Sequence, residues 1–232
     1  MSVLSACQDA IARLVARRPN SVFASDDEIC VEIASLANEA ATDIAKANDW
    51  QALTTLKVLT GDGVTEGWPL PDDYDRMVNG TDIHSGTWTY MRYASSPSLD
   101  NWQDLKALLP AIPPGYWTIL QNVMQFVPTI SSGQDARFYY VSNKWARTAA
   151  GAPKALFDRD DDTFALDDRL LTLGLIWRWK SMKGMDYQED IRNYDIALSQ
   201  SMSRDKGSRV IRKGGPDWSG LNVSVGWPWA LG

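Results

Sequence analysis

The chain has 232 residues, one His, 23 Lys and Arg against 29 Asp and Glu, and a net charge of −6. Hydrophobic residues make up 44% and charged residues 22%, which excludes a disordered or collagen-like chain. The acidic balance also excludes a protein that coats nucleic acid, since that needs a basic face to displace counterions. Two usages stand out: 11 Trp, and an acid count that divides into 24 Asp and 5 Glu. Trp is enriched where surfaces meet and Asp where chains turn, so the composition points to a loop-rich protein with contact surfaces.

Residues 2–18 have helical periodicity, with Leu4, Cys7, Ile11, Leu14 and Val15 on one face. Arg17 and Arg18 suit the negative end of that helix, and Pro19 is expected to stop it. A second helix is predicted from a capping box, Ser25-Asp26-Asp27-Glu28, through the stripe Ile29, Ile33, Leu36, Ala40 and Ile44. It fades at Asn48-Asp49, and Trp50 is expected to plug the base of the pair. Cys7 and Cys30 are too few for a disulfide framework and read as small buried hydrophobes in these helices. Leu4-Ser5-Ala6-Cys7 resembles a lipoprotein cleavage box but lacks a charged start and an apolar stretch before it. No apolar run reaches the roughly 18 residues of a membrane span. Synthesis in a reducing cytoplasm is the expectation.

From residue 52 the texture changes. Short β-prone runs occur at Leu56–Thr60, Thr87–Tyr93, Trp117–Leu120, Val123–Val127 and Arg137–Val141, parted by Gly, Pro, Asn and Asp. Gly61-Asp62-Gly63 and Ser131-Ser132-Gly133 read as hairpin connections, and Asp100–Leu109 as a short helix. Helical periodicity returns at Asp167-Asp168, which suit a helix N-terminus, and Gly184 can close the C-terminus. Leu170, Leu171, Leu173, Leu175, Ile176, Trp177 and Trp179 make this helix apolar nearly all round, the mark of a buried one. A last helix over about 187–204 carries Tyr187, Ile191, Tyr194, Leu198 and Met202 on one stripe.

The fold class expected is α+β. Residues 1–51 and 163–206 form two helical hairpins that need each other's apolar faces. Their bundle core is Leu170, Leu173, Ile176, Trp177, Tyr187 and Tyr194, and residues 52–162 are a β-rich inserted module. Residues 207–232 are an extended arm, with a basic patch at Arg209, Arg212 and Lys213 and then Trp218, Trp227 and Trp229 in a stretch whose one charge is Asp217. Such a segment is too rich in Gly and Pro for a helix and too apolar for a solvated tail. It either packs on its own domain or serves a partner, and Gly214-Gly215-Pro216 frees it to leave.

Candidates for chemistry are few. Asp158, Asp160 and Asp162 alternate like the opening ligands of a calcium loop, but Thr163 stands where glycine is needed and Arg169 where the twelfth, acidic ligand belongs. A polar turn capping the next helix fits better. His84 is the lone imidazole, with no nucleophile elbow around any Ser. Glu66 with Asp72 or Asp73 could supply a glycosidase pair, yet nothing holds either in an apolar pocket. No phosphate loop, dinucleotide fingerprint or zinc-protease motif is present. The sequence thus argues for no enzyme, no cofactor and no metal. The loop tryptophans leave a competing reading, a Trp-lined carbohydrate-binding or cell-wall-cleaving module whose glycan binding would rest on Trp88 and Trp102. The spread of Trp50, Trp68, Trp117 and Trp145 otherwise suits core packing or subunit contact.

Several motifs together resemble a known family. They are an N-terminal helical pair, Asp49-Trp50-Gln51-Ala52-Leu53, the turn Trp68-Pro69-Leu70-Pro71-Asp72-Asp73-Tyr74-Asp75-Arg76, and Phe138-Tyr139-Tyr140. Phe157-Asp158-Arg159-Asp160-Asp161-Asp162 follows, then Leu173-Gly174-Leu175-Ile176-Trp177-Arg178-Trp179-Lys180 and Lys183-Gly184-Met185-Asp186-Tyr187. This resembles the head-to-tail adaptor proteins of tailed bacteriophages, which include the tubular adaptor of short-tailed phages, over roughly residues 2–206. The resemblance implies a structural virion protein of the neck: a ring, usually dodecameric, built by the helical bundle under the portal. Its C-terminal arm would reach the portal and its β module would face the tail proteins. DNA would pass through without sequence-specific binding and no membrane would be involved. A net acidic ring suits such a conduit because it repels phosphates. A different connector or a tail-completion protein would share the same build.

Overall fold

A computed structural model describes residues 2–85, 92–96, 98–108 and 115–205. The arm residues Arg209, Arg212, Lys213, Trp218, Trp227 and Trp229, and Trp88 of the β region, lie outside the described residues.

Helix α1, Val3–Val15, is shorter than the periodicity predicts. Ala16 takes a left-handed conformation (φ 56°) and its amide bonds the Ala12 carbonyl, so the helix closes before Pro19 can act. Arg17 and Arg18 therefore stand outside the helix and pair on the surface with Asp27 and Asp9. Helix α2, Glu28–Ala47, does not use the expected capping box. Asp27 is its N-cap residue, so Ser25 sits too early to cap it; the Ser25 hydroxyl accepts from the Asp27 amide at 3.3 Å instead. Glu28 faces Lys183 at 3.6 Å. Trp50 does plug the base: it is buried, and its indole Nε1 donates to the Ile44 carbonyl at 2.7 Å.

After a 3-10 turn at Gln51–Leu53 come β1 (Thr54–Thr60), β2 (Gly67–Pro69), β3 (Tyr74–Met77), β4 (Ile83–Ser85) and β5 (Arg92–Ser95). Helix α3 (Leu99–Leu108) follows, its first turn held by Ser98, whose hydroxyl accepts from the Asn101 amide at 3.1 Å. Then come β6 (Gly115–Leu120), β7 (Val123–Val127), β8 (Asp135–Ser142), β9 (Ala146–Arg147), β10 (Pro153–Lys154) and β11 (Thr163–Phe164). Helices α4 (Asp168–Met182) and α5 (Gln188–Asp205) close the described chain.

Among the described residues one eight-stranded sheet has the order β1-β8-β4-β5-β6-β7-β2, with β3 also on β8. Its pairs are antiparallel except β5 with β6, which run parallel with α3 as their crossover. Strands β1 and β2 lie at opposite ends of this order, yet only residues 61–66 join them. Six interstrand gaps of about 4.8 Å would put flat edges about 29 Å apart. Seven residue steps reach about 24 Å at most. The sheet must curl, and the β1–β2 connection bonds the β7–β8 connection, Gly63 N to Ile130 O at 3.0 Å. A Cβ on Gly61 would lie 2.4 Å from the Ile130 carbonyl oxygen, so only glycine fits that crossing. Neither predicted hairpin turn joins neighbouring strands. Instead the two pack on each other, Gly133 N bonding Gly61 O at 3.0 Å.

Two apolar cores result. One fills the curled sheet with Leu59, Ile83, Tyr93, Trp117, Met124, Phe126, Phe138 and Tyr140. In the other, α4 touches α1, α2 and α5 on different sides, which explains why its sequence is apolar nearly all round. Residues 145–164, which sequence texture places with the β region, supply Trp145, Ala146, Phe157 and Phe164 to this helical core through the small sheet β10-β9-β11. Strand β8 serves both cores, with Phe138 and Tyr140 turned to the sheet and Val141 to the helices. No helix among the described residues is long and apolar enough to cross a membrane.

Candidate functional site

The Asp-rich turn is where a metal would be sought, and its three alternating carboxylates point to three different places. Asp158 pairs with Lys154 at the surface. Asp160 reaches across to the α1–α2 link, accepting from the Ser21 hydroxyl and from the amides of Val22 and Phe23 at 2.9 and 3.0 Å. Asp162, 0% exposed, turns inward and accepts from Lys154 Nζ at 2.7 Å and the amides of Asp158 and Arg159 at 2.9 and 3.0 Å. Burial pushes the pKa of Asp160 and of Asp162 up, but these donors outweigh it and hold both carboxyls below the usual carboxylate value. The turn's backbone works too: Val3 N donates to Asp162 O at 2.7 Å and Leu4 N to Asp160 O at 3.3 Å, satisfying the first amides of α1. Asn38 of α2 clasps the backbone of Phe157 on both sides, at 2.7 and 3.1 Å. Beneath it the Phe157 ring meets Trp145, Phe164 and Phe23 edge-on, at centroid distances of 4.9, 6.0 and 6.4 Å. The turn is a staple joining α1, α2 and the small sheet. Among the described residues no three His, Cys, Asp or Glu groups could hold a metal ion.

The other candidates are also spent on structure. Glu66 pairs with Lys106 at 3.2 Å, whereas Asp73 accepts from Tyr140 and Ser142, both at 2.8 Å, so the two share no partner. Burial raises the Asp73 pKa, and the two hydroxyls more than reverse it; the Tyr140 phenol, buried against that carboxylate, is pushed up to about 12. His84 is exposed on β4, and its ladder partners on either side are Arg92 and Arg137, not a carboxylate and a serine. Burial pushes the Cys7 thiol up to about 12, and Cys30 is buried with it. Trp102, Trp117 and Trp145 are buried and Trp68 half-buried, so these four form no open aromatic platform. The indole nitrogens of Trp68, Trp102, Trp117 and Trp177 have no acceptor among the described residues.

Of the residues expected in the helical core, Leu170, Ile176 and Tyr194 are buried, and Leu173 and Trp177 pack against the same cluster. Tyr187 is half-buried, its ring 6.4 Å from that of Trp177. Sequence reasoning missed Arg178, which is 8% exposed amid these helices. Its guanidinium bonds Asp43 at 2.6 Å and lies over the rings of Trp177 and Tyr194, 4.4 and 5.8 Å from their centroids. A charge in a helix reads as surface unless a carboxylate on another helix is known to meet it. A Cβ on Gly174 would sit 3.5 Å from both Ala40 Cβ and the Tyr194 ring, in ordinary contact with α2 and α5, so there is room for a methyl group and for little more.

The motifs that carry the family resemblance meet in space. Asp49 takes Arg76 Nε at 3.0 Å and the Asn79 amide at 2.8 Å, while Arg76 Nη2 caps α2 at the Asn48 carbonyl, 2.7 Å away. Asp73 meets Tyr140 and Ser142 as described, and Lys183 bonds Glu32 while Trp179 Nε1 donates to the same carboxylate at 2.9 Å. Helix α4 then ends in a Schellman motif, Met185 N to Lys180 O at 2.9 Å and Gly184 N to Ser181 O at 3.1 Å. Each motif is a joint between elements distant in sequence. A cleft of about 710 Å³ beside the Asp49–Arg76 joint is walled by Lys46, Asn48, Asn79 and Trp117 and holds no His or Cys.

No curated protein matches the chain. The family model of the SU10 adaptor protein matches residues 1–222, which takes in all the described elements. With its resemblance motifs used as joints of one scaffold, this chain belongs to the SU10 adaptor protein family, a family of phage head-to-tail adaptors.

Proposed function

We propose that the protein forms a ring in the virion neck, between the portal and the tail, that surrounds the exiting DNA without catalysing a reaction. The observation that carries this reading is the family match over residues 1–222. The geometry supports it: the carboxylates, thiols and imidazole singled out as candidates for chemistry are consumed in joints, buried or isolated. In this reading residues 1–51 and 163–206 build the ring, with Leu170, Leu173, Ile176, Trp177, Tyr187 and Tyr194 as their packed core. Residues 52–162 face the tail, and the arm 207–232 reaches the portal through Arg209, Arg212, Lys213, Trp218, Trp227 and Trp229. Ordering such an arm on docking costs roughly 2–5 kcal/mol, so one subunit binds weakly and a ring of them binds strongly. The ring is expected to be dodecameric.

Electron microscopy of the protein mixed with its portal tests the assembly, with a ring of subunits under the portal as the expected image. Deleting residues 208–232 is expected to leave the fold intact and abolish head-to-tail joining; normal joining by the shortened chain would remove the arm from the mechanism. The glycan-binding alternative loses Trp102, which is buried, and would rest on Trp88 outside the described residues.

A further inference from the structure

Strand β1 is an open edge of an unusual kind. Among the described residues it has one ladder partner, β8, and the pairing runs unbroken from Thr54↔Val141 to Thr60↔Asp135 with no bulge. The edge is only lightly guarded: residues 54–60 hold no Pro, and their single charge, Lys57, opposite buried Phe138 on the inner face, is the one blunting device. The outer face exposes apolar side chains, Leu56 47%, Val58 42% and Tyr139 47%, beside an Asp135–Arg137 ion pair at its far end. Long, regular, apolar edges invite another strand, and proteins ordinarily blunt or cover them.

The chain itself carries a segment suited to cover this one. Helix α5 ends at Asp205, whose carboxylate accepts from the Gln51 amide at 3.1 and 3.3 Å, at the foot of β1. The residues that follow thus start beside the edge. Within them Leu221, Val223, Val225 and Trp227 alternate with Asn222, Ser224 and Gly226, a period of two over seven residues, the length of β1. Sixteen residue steps from Asp205 to Leu221 reach roughly 55 Å, ample for a β1 of about 23 Å.

We propose that in the free subunit residues 221–227 add to the β1 edge of their own chain as a further strand, setting Leu221, Val223, Val225 and Trp227 beside Leu56 and Val58. The occupant is the chain's own segment and not a second copy's because its tether begins at the foot of β1. That gives it an effective concentration in the millimolar range that a second copy in dilute solution does not match. The interaction is β-augmentation: main-chain bonds supply the affinity and the alternating side chains the register. It parks the arm's aromatic residues off the solvent before assembly, and it stands whatever the arm later meets.

Hydrogen exchange on the full-length free subunit tests this. The amides of residues 221–227 and the outward amides of β1 are expected to exchange at least about tenfold more slowly than an open edge and a free peptide. Val223→Pro, in the arm and so harmless to the body of the fold, should return both sets to fast exchange. Free-peptide exchange of residues 221–227 in the unaltered chain would overturn the proposal, as would protection that survives Val223→Pro. Protection that grows with protein concentration would assign the strand to a second copy and equally overturn it. Head-to-tail joining is a separate readout, so failure here leaves the arm's portal role to be judged on its own assay.

Discussion

In the helical core, elements are tied by buried and half-buried polar side chains that hold named partners. Asp160 holds the α1–α2 link, Asp162 holds its own turn and Lys154, Asn38 clasps Phe157, and Arg178 bridges α4 to Asp43. The sheet core is built otherwise, from Tyr93, Phe126, Phe138 and Met124; the indole N–H groups of Trp68, Trp102 and Trp117 in its half lack an acceptor among the described residues, as does that of Trp177 in the helical half. Directional bonds fix one geometry and are costly to break, whereas apolar packing tolerates adjustment. The half of the molecule proposed to form a ring is thus the half whose geometry is pinned, and the half proposed to meet varied tail partners is pinned less.

Breaking the staple should have the largest effect. Asp162→Ala removes the acceptor shared by Lys154 and two amides, leaving Lys154 with Asp158 alone, and a loss of about 3 kcal/mol is expected in denaturant unfolding. A loss below about 1 kcal/mol would mean the helical core does not depend on its polar ties. The same residues set a pH dependence. Because Asp160 and Asp162 have folded pKa values below the unfolded carboxylate value, their contribution is fully present above roughly pH 4 and is lost as pH falls through the folded values. Asp162→Asn should flatten that acid limb.

A smaller effect is expected at the joint between the halves. Arg76→Ala removes the partner of Asp49 and the cap on the Asn48 carbonyl. A partly exposed charged hydrogen bond of this kind contributes about 1.5 kcal/mol. The sharper readout is cooperativity: if the joint couples the two cores, the variant should unfold in two steps by probes placed in α4 and in β7. A single shifted transition would show that β8, shared by both cores, couples them unaided.

How much of this was legible in the sequence follows the same division. Helices α2, α4 and α5 stand close to where periodicity places them, because their signal is local. The capping box failed because Asp27, two residues later, took the N-cap position. Strands β6, β7 and most of β8 were legible as apolar runs, but their order was not, since pairing β1 with β8 across 75 or more residues leaves no local trace. The short strands β2, β3 and β4 and the small sheet went unseen because a two- to four-residue strand has no period to detect. The Asp turn was expected to cap the following helix, but Asp167 caps α4 and the turn serves α1 and the α1–α2 link instead. Its reach to residues 21–23 could not be read, because that contact spans the whole chain between them.

The smallest effect is expected at Gly174, and it sharpens the contrast by sign. A Cβ there meets Arg178 Nη1 at 3.2 Å, the far end of a flexible side chain, and otherwise only ordinary contacts. Gly174→Ala should therefore gain helix propensity of up to about 1 kcal/mol, less the small shift of Arg178. A net stabilisation of roughly half that is expected, seen as a raised Tm. Gly174→Leu must push Ala40 and Tyr194 apart and should cost about 2 kcal/mol by overpacking. If Ala also destabilised, Arg178 would have no room to move and its bond to Asp43 would be the stiffest contact in the helical core. If Leu were tolerated, the approach of α2 and α5 to α4 would be as adjustable as the sheet, and the distinction between a pinned and a yielding half would fail at its centre.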